Sequence, residues 1–161
     1  MALFSFMKTA GTAIKAMRDK IDGEDEKQQA QKEAAEEITK QAGSLGLGGD
    51  YRVMVEGETV KLKGKVPDQE TLEKVVLAAG NVEGVGAVDT SDMETSESSE
   101  ASVFYTVQKG DSLSKIAKIY LGNAMKYPDI FEANKPMLSD PDKIYPGQVL
   151  RIPGGKAPDS V

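Results

Sequence analysis

The chain has 161 residues, enough for one ordinary domain or two small ones, each with only a modest core. It contains no Cys and no His, which removes thiol nucleophiles, imidazole bases, disulfides and the usual ligands of zinc, copper and haem iron. The formal charge of -6, with a pI near 4.8, has the wrong sign for nonspecific attachment to nucleic acid or anionic lipid and favours a cationic ligand.

In the opening segment Leu3, Phe6, Met7, Ala10, Ile14, Met17 and Ile21 recur every three or four positions, so an amphipathic helix with one apolar stripe is predicted over residues 1–21. That stripe can pack on the chain's own domain or lie on a membrane surface. Lys8 interrupts any signal-type apolar core, so no export signal is predicted and the expected location is cytoplasmic. No segment is apolar for long enough to span a bilayer.

From Asp22 to Gln41 good helix formers dominate, with Ala30, Ala34, Ile38 and Ala42 on one face, and the helix is predicted to stop near Gly43. Tyr51–Glu56 and Thr59–Lys63 then read as a hairpin turning at Gly57-Glu58, with Val60 and Leu62 facing in and Lys61 and Lys63 facing water. Pro67 and Asp68 open a second helix, in which Glu70 and Glu73 sit in early turns favoured by the helix dipole, and Gly80 closes it. Val85–Val88 is a short third strand. Asp89 to Ser102 carries acids, Ser and Thr but no basic residue, and is expected to be a flexible linker. Beyond it, Phe104–Gln108 and Val149–Ile152 read as strands flanking helices over Ser112–Tyr120 and Asn123–Asn134.

Gly64-Lys-Val66, the helix after it and Val82-Glu-Gly-Val85-Gly-Ala-Val88 together resemble the BON domain pattern. Tyr105-Thr-Val-Gln-Lys-Gly-Asp-Ser-Leu113, Ile116-Ala117, Ile130, Asn134 and Ile144-Tyr-Pro-Gly-Gln-Val-Leu-Arg-Ile-Pro153 resemble LysM from end to end. The expected fold class is α+β: an N-terminal helix over 1–21, a BON-like domain (αββαβ) over 22–89, an acidic linker over 90–102, a LysM-like domain (βααβ) over 103–153 and a tail over 154–161. Most motif positions also have a purely structural role: Gly110 for a tight turn, Asp111 or Ser112 as a helix cap, and Leu113, Ile116, Ile130, Leu150 and Ile152 as core.

The whole arrangement is similar to a bacterial family of cytoplasmic potassium-binding proteins. That resemblance implies K⁺ held by main-chain carbonyls of Gly80, Val82 and Val85, joined by Met7 and Ala10, in a sensor or buffer; a monomer is expected, with the oligomeric state left open by the sequence. K⁺ is large and weakly held by water, so carbonyl oxygens can replace its shell without a side-chain signature. Read without the resemblance, Gly80 is a helix C-cap, Gly84 a turn, and Met7 and Ala10 core contacts of a docking helix.

LysM resemblance alone implies an alternative, a peptidoglycan-type N-acetylglucosamine glycan bound between the loop Gly110, Asp111, Ser112, Leu113 and the loop Pro141, Asp142, Lys143, Ile144. Tyr145, Met137 and Pro141 offer apolar surface for a sugar or for packing. A protein partner through LysM is also open. No catalytic acid–base pair stands out, so no enzyme activity is expected, and no EF-hand loop is present.

Overall fold

The computed structural model describes residues 3–6, 23–47, 49–96 and 102–153. The elements in chain order are β1 (Leu3–Ser5), α1 (Glu24–Ser44), β2 (Asp50–Glu56), β3 (Thr59–Val66), α2 (Gln69–Gly80), β4 (Ala87–Thr95), β5 (Val103–Thr106), α3 (Leu113–Leu121), a 3₁₀ turn (Ala124–Lys126), α4 (Tyr127–Ala133) and β6 (Val149–Ile152). The class is α+β with two small domains.

In the first domain β2 and β3 form the hairpin expected at Gly57, whose φ of 59° suits a residue without a Cβ. The α2 crossover then returns the chain so that β4 lies parallel to β3. The sheet order is β1-β4-β3-β2. Ala30, Ala34, Ile38 and Ala42 of α1 and Val75, Val76, Leu77 and Ala79 of α2 are buried, and all but Ala30 share one core with Val55, Val60, Leu62, Val82, Val85 and Val88. Asp68 caps α2, its carboxylate accepting from Thr71 N–H at 2.8 Å; hydrogen bonding from the Thr71 side chain first, and from its N–H second, holds the Asp68 carboxyl below its ordinary pKa.

Gly64 matters most for β3. Its φ is 141°, and a Cβ there would stand 2.2 Å from Asp50 O and 2.5 Å from Tyr51 Cα, which are backbone atoms that cannot swing away. Gly64→Ala is expected to cost about 1–3 kcal/mol or more by forcing β2 and β3 apart. A denaturant midpoint equal to the wild type's would contradict this.

Two predicted elements of the first domain differ. Within the segment predicted as an N-terminal helix, Leu3, Phe4 and Ser5 are strand, pairing antiparallel with Asp89, Val88 and Ala87; residues 7–21 of that predicted helix lie outside the described residues. Helical spacing does not decide the conformation of Leu3–Ser5, where the open edge of β4 offers strand pairing instead.

Nor does the linker begin at residue 90, since β4 runs to Thr95 through the acidic stretch. Composition alone misses the partner strand. In the parallel register Lys61, Lys63 and Lys65 of β3 stand beside Asp89, Asp92 and Glu94 of β4. Opposite charges on neighbouring strands favour that pairing, and Thr90 points into the core side. The expected third strand at Val85–Val88 is thereby displaced to Ala87–Thr95.

In the second domain β5 and β6 pair antiparallel over Leu113, Ile116, Ala117, Ile130, Leu138, Leu150 and Ile152. Ser112, rather than Asp111, caps α3, its hydroxyl accepting from Lys115 N–H at 3.2 Å. The helix expected from Asn123 to Asn134 is split into the 3₁₀ turn and α4, with Pro128 in the first turn of the latter.

Candidate functional site

The turn from Gly80 to Gly86 follows the C-terminal end of α2, where a helix leaves unpaired carbonyls and partial negative charge. Asn81 N–H donates to Leu77 O at 2.9 Å, Val85 N–H to Val82 O at 3.0 Å and Gly86 N–H to Glu58 O at 2.8 Å, so the turn is held at three points. Gly80, Val82 and Val85 are all buried. Among the described residues no hydrogen-bond donor reaches the carbonyl oxygens of Gly80 or Val85.

The N-terminal segment closes over this turn. Phe6 N–H donates to Gly86 O at 2.9 Å, and the Phe6 ring lies so close on Gly80 that a Cβ there would meet ring carbons at 2.1–2.3 Å. Phe4 meanwhile stacks on Phe104 of the second domain, with ring centroids 4.9 Å apart. Phe6 is therefore fixed beside the turn, while Met7 and Ala10 lie outside the described residues.

The second domain also docks here. Asn81 Nδ2 donates to Val149 O at 2.8 Å and Val149 N–H donates to Asn81 Oδ1 at 2.9 Å, so one carboxamide pairs with the outer edge of β6 as a strand would. Val149 is packed into the first domain's core, and Phe104 and Met137 lean on it. A cleft of about 320 Å³ opens beside this contact, lined by Leu45, Leu77, Ala78, Asn81, Met137 and Tyr145 among others.

A buried ion pair holds the same two elements together further along. Arg151 of β6 donates from Nε to Glu73 Oε1 of α2 at 3.0 Å, with Nη2 at 2.9 Å from that oxygen; the two residues are 6% and 1% exposed. Their remaining polar atoms are paired as well: Glu73 Oε2 accepts from Ser102 N–H at 2.7 Å and Gln69 Nε2 at 3.1 Å, while Arg151 donates to Ala133 O and Ser102 Oγ, each at 3.0 Å. A desolvated pair is tolerated only when its remaining sites are satisfied in this way.

The residues proposed for a glycan are largely committed to the fold. The Asp111 carboxylate accepts from the Tyr105 hydroxyl and from Gln108 N–H, Ser112 caps α3, and Leu113 is core. Gly110 has a φ of 88° and its carbonyl accepts from Lys115 Nζ. Pro141 and Ile144 are half-buried, while Asp142 and Lys143 are exposed. Met137 and Tyr145 line the cleft against α2 instead of an outer surface, and burial raises the Tyr145 phenol pKa.

Desolvation, followed by the Asp111 hydrogen bond and charge, pushes the Tyr105 phenol up to about 12. Because the folded state holds that proton more tightly, this contribution is full below the unfolded value of 10.0 and is lost as pH rises towards about 12. Tyr105→Phe is expected to flatten the fall of stability over that window without abolishing it, because Tyr51 and Tyr145 are also raised by burial. Denaturant melts at several alkaline pH values measure the slope, and an unchanged slope would refute the assignment.

Glu73, Asn81 and Phe6 were not legible as a set from sequence. Glu73 carried a signal, since it shares the buried helical face of Val76, Leu77 and Gly80; Asn81 carried none. Among the described residues no group of three or more acidic side chains could hold a metal, and no helix is long and apolar enough to cross a membrane.

Comparison with known proteins agrees with the two domains: the BON domain model matches residues 47–96 and the LysM domain model residues 105–153. The chain is thus a BON–LysM protein. It is 41% identical over 153 residues, 95% of its length and 99% of the relative's, to the protein named Potassium binding protein Kbp of Escherichia coli O6:H1, and it belongs to that protein's family. It is also 38% identical over 112 residues to an uncharacterized protein of Deinococcus radiodurans, covering 63% of this chain and 44% of that one.

Proposed function

We propose that this protein binds K⁺ in the cytoplasm as a sensor or buffer, and that main-chain carbonyls of Gly80, Val82 and Val85, with Met7 and Ala10, hold the ion. The observation that carries this reading is the likeness, through nearly the full length of both chains, to a relative named for potassium binding. The turn's chemistry supports it: Gly80 and Val85 carbonyls that no described donor reaches, at a helix end of negative potential, beside Phe6 of the N-terminal segment. The Val82 carbonyl accepts from Val85 N–H and keeps a second lone pair for a cation. In this reading the ion draws the N-terminal segment, BON and LysM together, and ligand binding stabilises that compact state by mass action.

The test is titration of alkali-depleted protein with KCl, NaCl and choline chloride at matched ionic strength, following melting temperature and scattering radius. Saturable stabilisation and compaction are expected with K⁺ alone; screening acts equally in all three salts, so three identical responses would sink the proposal.

The LysM match supports a second reading, binding of a glycan such as peptidoglycan through the exposed Asp142–Lys143 loop. Retention on peptidoglycan, together with an envelope location in cell fractions, would favour it over the ion reading.

A further inference from the structure

We infer that Asn81 is the positioning residue that couples the ion-binding turn to LysM docking; this rests on the K⁺ reading just proposed. Asn81 follows Gly80 directly and precedes Val82, so its main chain is part of the turn whose carbonyls face the ion in that reading. Its N–H closes the last turn of α2 on Leu77 O. Its side chain leaves the turn altogether and bonds the N–H and C=O of Val149 in the other domain. A shift of this backbone therefore moves the carboxamide against β6, and the reverse holds as well.

The outer edge of β6 shows what that carboxamide supplies. Two residues along the same edge, Arg151 N–H donates to Asn134 Oδ1 at 2.9 Å and Asn134 Nδ2 donates to Arg151 O at 2.9 Å. LysM thus fills one pair of its edge groups with its own Asn134 and takes the partner for the other pair from Asn81. Both Asn side chains act as one-residue strands. When LysM lifts away, Val149 must turn to water while Arg151 keeps its internal partner, so the Val149 pair reports docking alone. Filling the turn and seating LysM become linked equilibria, and linkage of this kind is reciprocal.

Two variants separate coupling from simple support of the fold. Asn81→Ala removes both bonds to Val149 and leaves the turn's carbonyls. Asn81→Asp keeps an acceptor for Val149 N–H, sets an oxygen against Val149 O, and adds negative charge beside the cation. For each, the KCl midpoint, the scattering radius at saturating KCl and the hydrogen-exchange rate of the Val149 amide are measured on the full chain, with circular dichroism as the check on folding.

In the wild type K⁺ is expected to shrink the radius and protect Val149. Asn81→Ala should raise the KCl midpoint at least about fivefold and lose the protection. Asn81→Asp should bind K⁺ as tightly as the wild type or more so, yet fail to compact. An Asn81→Ala protein that compacts at the wild-type midpoint overturns the coupling while leaving the ion reading intact. Parallel loss of binding and compaction in Asn81→Asp reduces Asn81 to a support of the turn and also overturns it. A wild type indifferent to K⁺ against Na⁺ overturns the ion reading, and the coupling with it.

Discussion

Gly80→Ala is expected to weaken the K⁺ response about five- to a hundredfold while leaving the first domain folded. The added Cβ would enter the Phe6 ring, with contacts of 2.1–2.3 Å. Of the two partners, the short N-terminal segment yields more readily than α2, which is fixed in the core by Val75, Val76 and Leu77. Overpacking of this kind costs about 1–3 kcal/mol, and about 1.4 kcal/mol corresponds to a decade in binding. Alanine is intrinsically better than glycine within a helix by about 1 kcal/mol, which offsets part of that cost, so ion-free stability should fall by no more than about 2 kcal/mol. The signature is a split: a small fall in melting temperature without K⁺, and a shifted KCl midpoint. Phe6→Ala in the same background should relieve the clash, and a double-mutant cycle with no interaction between the two positions would refute the contact.

Glu73→Leu is expected to be the most damaging single change at the contact between domains. It leaves the Arg151 guanidinium with only the exposed Glu70 carboxylate, 3.9 Å from Nη1, as counter-charge, where breaking a buried pair from one side costs about 3–5 kcal/mol. Ala133 O and Ser102 Oγ still accept from Arg151, which places the expected cost at the lower end of that range. Since Glu73 and Arg151 stand on α2 and β6, the loss should appear first as separation of the domains: a larger scattering radius and a melting curve with two steps. Adding Arg151→Met should recover most of the loss, because an apolar pair of similar size has no desolvation penalty. If the double variant is no more stable than Glu73→Leu alone, the ion pair is not what the single change breaks.

Much of the architecture is legible in the residues. Alternation in β3, the four-residue spacing of Ala30, Ala34, Ile38 and Ala42, and the glycines at 57 and 80 mark elements whose local preference and burial agree. The failures share a cause. β1 and the acidic half of β4 depend on strands distant in sequence, and neither Leu3 nor Asp92 carries a local sign of its partner. Glu73 illustrates the same limit: dipole reasoning accounts for an acid early in α2, but its counter-charge lies seventy-eight positions away. A site made of main-chain oxygens is harder still, since the side chains of Gly80, Val82 and Val85 are chosen for conformation and packing. Only resemblance to a whole family draws attention to that turn.

The outer side of β4 is covered by β1 at Ala87, Val88 and Asp89 only; among the described residues the rest of that edge, through Thr95, has no neighbouring strand. An uncovered strand edge is a template on which a second copy can extend the sheet. Here Asp92 and Glu94 are exposed along it, so the acids that match the β3 lysines within one molecule would meet acids of their own kind across two. The stretch that composition marks as solvated thereby places like charges where a second copy would pair, a repulsion that works against edge-to-edge extension of the sheet.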